Sequence, residues 1–254
     1  MTLPVTPAFR LDGRRAIVTG AGRGIGLAAA AALAQAGAAV TLVARSHDEI
    51  AAAAAAIVAA GGTACAERLD VADLAATRRF FADRPGFDIL VNNAGTNRPM
   101  TMTAVEEDDF DAVIGLNLKS SFFVAQAAAR RMIADGIAGT LIHIGSQMGH
   151  VGGINRSLYC ASKWALEGMN KAIALDLAAH RIRSNTIAPT FIETPLTRPF
   201  FADAAFRESV LAKIKLGRLG QVTDLMGAIV FLAGDASALM TGSSMVIDGG
   251  WTAD

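Results

Sequence analysis

The chain has 254 residues, with 23 lysines and arginines balanced by 23 aspartates and glutamates and a pI near 6.9. Length alone permits one large α/β domain or two small ones, and the charge balance argues against a nucleic-acid partner or an anionic membrane surface. Cys65 and Cys160 are far apart and in no ligand-like spacing, which suits a reducing cytosol. The opening MTLPVTPAFRLDG has no apolar stretch behind basic residues, so no export signal is read and a cytoplasmic location is expected.

In chain order, residues 1–9 read as a flexible lead-in. Apolar runs then predict strands at 15–19, 39–44, 63–68, 87–91, 140–144, 182–187 and 244–248. Alanine-rich or amphipathic stretches predict helices near 24–36, 47–60, 71–83, 107–134, 157–180 and 223–233. Alternation of this kind predicts an α/β fold: a doubly wound, Rossmann-type parallel sheet of seven strands with helices on both faces. The strands read as near-continuous apolar runs, as doubly covered strands do. Neither a Pro/Gly/Ser linker nor a repeat divides the chain, so one domain over 1–254 is expected. The uncharged stretch 25–44 is about long enough to span a bilayer. Its alanine-rich first half, Gly37 and its β-branched second half fit a buried helix, a turn and a strand, and no membrane span is expected.

The first strand runs into Thr19-Gly20-Ala21-Gly22-Arg23-Gly24-Ile25-Gly26, with a helix after it. Glycines allow a tight turn and close backbone approach, and a helix N-terminus attracts phosphate. Further on, Tyr159 and Lys163 stand four residues apart on a predicted helix, where their side chains share a face. A phenol is a poor base at neutral pH, and a nearby ammonium favours its ionised form, which suits proton exchange with a hydroxyl as hydride moves. Ser146 follows strand 140–144, at the carboxyl edge where sites on open parallel sheets gather. Asn117 lies inside helix 107–134, where its side chain competes for backbone groups. His47, His143, His150 and His180 form no metal-ligand spacing, and no catalytic metal is expected; His143 reads as a packed core residue.

TGAGRGIG at 19–26, the Asn92-Asn93-Ala94-Gly95 turn and Tyr159-Cys160-Ala161-Ser162-Lys163 together resemble the short-chain dehydrogenase/reductase family in its single-domain form. Arg183-Ser184-Asn185 onward to Pro189, Thr241-Gly242 and Asp248-Gly249-Gly250 extend the likeness over about residues 10–251. The resemblance implies a catalytic set of Asn117, Ser146, Tyr159 and Lys163. It also implies a phosphate loop of Gly20, Arg23, Gly24, Ile25 and Gly26. Asp70 and Val71 would flank adenine, with Asn92, Ala94 and Gly95 beside its ribose. Pro189, Ile192 and Thr194 would meet the nicotinamide, and Tyr159 and Lys163 its ribose. Asn117 would fix a backbone distortion in a proton relay with Lys163. Independently of any likeness, Asp70 reads as the N-cap of the helix at 71. Thr190 departs from the family pattern, in which glycine follows the proline.

The second strand ends at Ala44, where an acid would bind the ribose 2′-hydroxyl of NAD, and Arg45 follows. Arg45 and Arg23 would suit a 2′-phosphate, so NADP(H) is favoured and NAD(H) is the alternative, the arginines then being solvated surface residues. The substrate pocket would draw on Arg98, Gln147, Met148, His150, Asn155, Arg156 and Thr190, with Arg198 from a lid over about 192–215. That polar set fits a sugar, polyol or sugar acid. Reduction of a 3-oxoacyl thioester is the alternative enzyme reading, and a catalytically silent dinucleotide sensor the alternative of another class. The tail from Leu216 to Trp251 resembles the segment by which relatives assemble, so a homotetramer is expected, with Trp251 a subunit anchor.

Overall fold

The computed structural model describes residues 1–253. Seven parallel strands form one sheet in the order β3-β2-β1-β4-β5-β6-β7. They are β1 (Arg15–Thr19), β2 (Ala39–Ala44), β3 (Thr63–Arg68), β4 (Ile89–Asn92), β5 (Thr140–Ile144), β6 (Arg183–Pro189) and β7 (Ser244–Ile247). The central strands β1, β4 and β5 are buried on both sides, whereas β3 at one edge alternates in exposure. Continuous apolar runs and a doubly covered sheet are the same fact seen in sequence and in space.

Two helix layers cover the sheet. Helices α1 (Gly24–Gln35), α2 (His47–Ala59) and α8 (Thr223–Ala233) pack on one face, where Leu33, Ile50, Ile57, Leu225 and Ile229 meet Val18 and Leu42. Across the sheet, α3 (Leu74–Ala82) and α5 (Ser121–Ala134) close over Ile17, Leu90 and Leu141 with Phe80, Phe81, Val124 and Met132. Ile173 and Leu177 of α6 (Ser157–Leu177) pack against the same cluster. The uncharged 25–44 stretch is α1, a turn and β2. Alanines bury nearly all round α1 because their small side chains let it lie close to both the sheet and α8.

Three departures from the sequence reading have physical causes. Helix α3 begins at Leu74, since the Asp73 carboxylate accepts the Ala76 N–H at 2.9 Å and caps it. Asp70 is therefore not that cap; its carboxylate accepts the Ala72 N–H at 3.0 Å in the preceding turn. The helical stretch predicted at 107–134 is α4 (Glu107–Ile114), a π-helical turn (Gly115–Ser120) and α5. Helix α7 (Ala204–Leu211), unforeseen in the lid, is capped by Asp203, which accepts the Ala205 and Phe206 N–H groups.

Candidate active site

At the carboxyl edge of the sheet a cleft of about 910 Å³ runs from the glycine loop to the lid. Gly20 and Gly24 hold φ of +63° and +57°, backbone that side chains disfavour. A Cβ on Gly26 would run into the Gly20 carbonyl oxygen, so Gly26 serves the packing of loop on helix and does not itself line the cleft. Asn93, read from the sequence only as part of the 92–95 turn, staples this loop: its amide donates to the carbonyls of Thr19 and Gly20 at 2.9 and 3.1 Å. Thr19 Oγ1 in turn accepts the Asn93 and Ala94 N–H groups.

The first turn of α1 has no side-chain cap and no acidic residue. Its N–H groups and partial positive charge are available to a pyrophosphate, which is the fit the loop glycines imply. Beyond Ala44, exposed Arg45 lines the cleft without an ion pair among the described residues. Arg23, also exposed, lies 3.5 Å from Glu49. Asp70 and Val71 lie opposite, with Ala94 and Gly95 beyond. Asn92 is not in the cleft: its amide points into the core, donating to Ser121 O at 2.7 Å and touching His143 at 3.4 Å. Pro189, Ile192 and Thr194 line the far wall.

Ser146 follows β5 and Tyr159 stands on the first turn of α6, with Lys163 one turn further along. The Ser146 hydroxyl donates to Gln147 Oε1 at 2.9 Å and accepts the Met148 N–H at 3.1 Å, which fixes its direction. Lys163 is buried, donates to Ile144 O at 2.8 Å and lies 5.7 Å from the Tyr159 ring centroid. Burial pushes Lys163 down to about 8, with Glu167 opposing. Burial also pushes the Tyr159 phenol above its usual value, while Ser146 and Arg156 pull the other way. The sequence expectation of a depressed phenol is thus reversed here, because enclosure outweighs the neighbouring charges. His143, fully buried near Lys163, is pushed to about 4 by burial and is neutral.

Asn117 sits in the π-helical turn, and its side chain answers backbone on the loop after β4. Its Oδ1 accepts the Thr96 N–H at 2.8 Å, while Nδ2 donates to Thr96 O at 2.9 Å and to Ser162 Oγ at 3.1 Å. It thereby ties the loop bearing Gly95 to the catalytic face of α6, although it does not line the cleft itself.

Of the residues foreseen for substrate, Arg98, Gln147, Met148, Arg156 and Thr190 line the cleft. Arg98 is bound to Asp109 at 2.7 Å, and that contact holds the Asp109 carboxyl below its usual value. His150 does not line the cleft: it turns behind the Ser146 loop, with Nε2 3.0 Å from Ser244 Oγ and 3.7 Å from Glu167 Oε1. Asn155 is also outside, exposed at φ +58°, and offers its carbonyl to Met100 N–H and to Arg156. Arg198 is exposed on the outside of the lid. The lid stands on an aromatic cluster of Phe191, Phe201 and Phe206. Trp251 packs 5.7 Å from Phe191 within the same chain, under Lys213. Trp251 thus helps to floor its own lid. Phe200, one of the lid aromatics, lines the cleft.

The sequence profile described as Enoyl-(Acyl carrier protein) reductase matches residues 20–252. Bovine L-xylulose reductase is 36% identical over 245 residues, covering 96% of this chain and 99% of its own. The 2-dehydro-3-deoxy-D-gluconate 5-dehydrogenase of Escherichia coli K12 is 37% identical over 253 residues, covering 98% and 99%. A gluconate 5-dehydrogenase from Burkholderia cenocepacia J2315, solved in complex with NADP and tartrate, superposes with a TM-score of 0.92 at 41% identity over 97% and 98% of the two chains. A Rossmann-type sheet, an unobstructed phosphate loop and a serine, tyrosine and lysine gathered at its edge define a nucleotide-dependent oxidoreductase. The chain belongs to the short-chain dehydrogenase/reductase family and acts on CH–OH groups.

Proposed function

We propose that the chain interconverts a hydroxyl and a carbonyl on a polyhydroxy substrate, a sugar, polyol or sugar acid, with NADP(H) as the favoured coenzyme. The observation that carries this is the polar lining of the cleft, which includes Ser146, Gln147, Asn97, Arg156 and Thr190 together with Tyr159. Asn97 Oδ1 and Thr190 Oγ1 there have no hydrogen-bond partner, which suits hydroxyl groups better than an acyl chain. The relatives named for L-xylulose, 2-dehydro-3-deoxy-D-gluconate and gluconate support the same class, and the NADP-bound neighbour supports the coenzyme.

Bound NADPH would supply the hydride, held at its phosphates by the α1 N-terminus, with Arg45 and Arg23 at the 2′-phosphate end. Ser146 orients the substrate oxygen with its hydroxyl. Tyr159, un-ionised at neutral pH because burial raises it, gives its proton to that oxygen during reduction and is left as phenolate. In oxidation it is the phenolate, beside the Lys163 ammonium, that takes the alcohol proton and becomes the phenol again. Lys163 holds positive charge beside the phenol, and Asn117 keeps the loop and α6 in register for the exchange. The lid over about 192–215 closes the cleft from the side of Phe200.

A homotetramer in the cytoplasm is part of this reading. Phe122 and Ile133 on α5 and Trp164 and Leu175 on α6 leave apolar side chains exposed, and β7 presents a free sheet edge. Both cysteines are unpaired. The test is reduced-nicotinamide absorbance across ketoses, polyols, keto sugar acids and 3-oxoacyl esters, wild type beside Tyr159→Phe. Turnover of the polyhydroxy set with a loss of about 10²–10⁴-fold in the variant is expected. Turnover of acyl esters alone would overturn the substrate reading, and full activity in the variant would overturn the role of Tyr159.

A further inference from the structure

Arg156 is the one arginine of the cleft that is both buried and without a carboxylate. Its relative exposure is 6%, and it forms no ion pair among the described residues. A guanidinium offers five N–H donors. Here one hydrogen bond is made, from Nη1 to the carbonyl of the preceding residue, Asn155, at 3.2 Å. The aliphatic stem lies against Gly153, and the charged head faces the lid residue Phe200 with 5.8 Å to its ring centroid. The ionisable neighbours that bear on it are Tyr159 and Cys160, both uncharged at neutral pH because burial raises them. A charge enclosed in this way is unfavourable until an anion reaches it.

The other cations of the cleft are committed or elsewhere. Arg98 is neutralised by Asp109 at 2.7 Å, Arg23 lies against Glu49, and Lys163 donates to Ile144 O. Arg45 stands at the end of β2, on the coenzyme side. We infer that Arg156 binds a carboxylate of the substrate, so that the preferred substrates are sugar acids, with the reacting carbon held between Ser146 and Tyr159. The planar fork of guanidinium matches the two oxygens of a carboxylate, and one such group balances one negative charge. A phosphate monoester carries nearly two and would call for a second free cation, which the substrate end does not show.

This inference rests on the polyhydroxy reading above and is separable from it by pairing each acid with a neutral twin. D-gluconate against D-glucitol and 5-keto-D-gluconate against L-sorbose change one terminal group, and D-fructose 6-phosphate against D-fructose tests the other anion. Wild type should favour each acid in kcat/KM. Arg156→Gln should lower the acid-to-neutral ratio about 100-fold, as expected when one partner of an enclosed charge pair is removed. Arg156→Lys should recover part of it, because it restores charge without the fork. Should Arg156→Gln fail to fold, the wild-type ratio and the lysine variant decide the matter. Equal wild-type use of acid and neutral twin, preference for the phosphate ester, or an unchanged ratio in the variant would each overturn the role of Arg156 while leaving a sugar dehydrogenase. Turnover of acyl esters alone would remove the reading beneath it as well.

Discussion

Lys163→Met should make the protein inactive and more stable at neutral pH. Methionine nearly matches the lysine stem in volume, so the substitution removes charge without opening a cavity. In the folded chain, burial brings Lys163 from 10.5 down to about 8, even though Glu167 offsets part of that. Unfolded, the amine stays charged up to its usual value. Folding therefore expels a proton between about pH 8 and 10.5, and stability falls as pH drops through that window. Below pH 8 the penalty is complete, and at about 1.4 kcal/mol per pH unit the gap is worth about 3 kcal/mol. The hydrogen bond to Ile144 O, worth about 1 kcal/mol, is lost in the variant. About 2 kcal/mol of net gain remains, or a rise in Tm of about 4–8 °C for a chain of this size. Calorimetric or fluorescence melts of both proteins from pH 6 to 10.5 would read it, with the rise largest at pH 6–8 and shrinking above. A variant that melts at or below wild type at pH 7, or a difference flat across the whole range, would refute the reasoning.

Two further outcomes follow from the coenzyme half. Arg45→Ala should lower the preference for NADPH over NADH about tenfold or more, read as the ratio of kcat/KM with the two coenzymes; an unchanged ratio would leave Arg45 a solvated surface residue. Gly26→Ala should weaken NADPH binding about 100-fold, because its methyl group would displace the Gly20 carbonyl and the Asn93 amide that shape the loop. Quenching or enhancement of bound-coenzyme fluorescence measures it, and near-normal affinity would show that the loop yields without loss.

The sheet was legible because its strands are uninterrupted apolar runs, and the catalytic residues because their motifs, taken in order along the chain, resemble those of the short-chain dehydrogenase/reductase family. Direction was not legible. Asn92 ends β4 and Asn93 follows it, and their side chains part: one is core and the other staples the phosphate loop. His150 sits in a polar loop beside Ser146, yet it turns away because Ser244 and Glu167 offer it partners across β7 and α6. Helix α7 escaped notice since it is short and its apolar residues answer only the lid's own cluster. Glu167, enclosed against Gly145, Thr186 and His150 behind the catalytic loop, carried no signal beyond its place four residues after Lys163.

The π-helical turn at Gly115–Ser120 also sets the phase of everything that follows it. A wide turn takes in one residue more than an α-helix would use, so the side chains beyond it lag by about 100°. That lag is why Ala128 and Met132 face the sheet in α5, while Arg131 reaches outward to Asp135. Counted forward from buried Val113 at an unbroken helical period, position 131 would have faced inward instead. A single-residue deletion between 115 and 119 would therefore be felt at two distant places together. Asn117 would leave Thr96, and the charged side of α5 would swing toward the core, so the clamp on the catalytic loop and the seating of this helix are inherited as one unit of chain length.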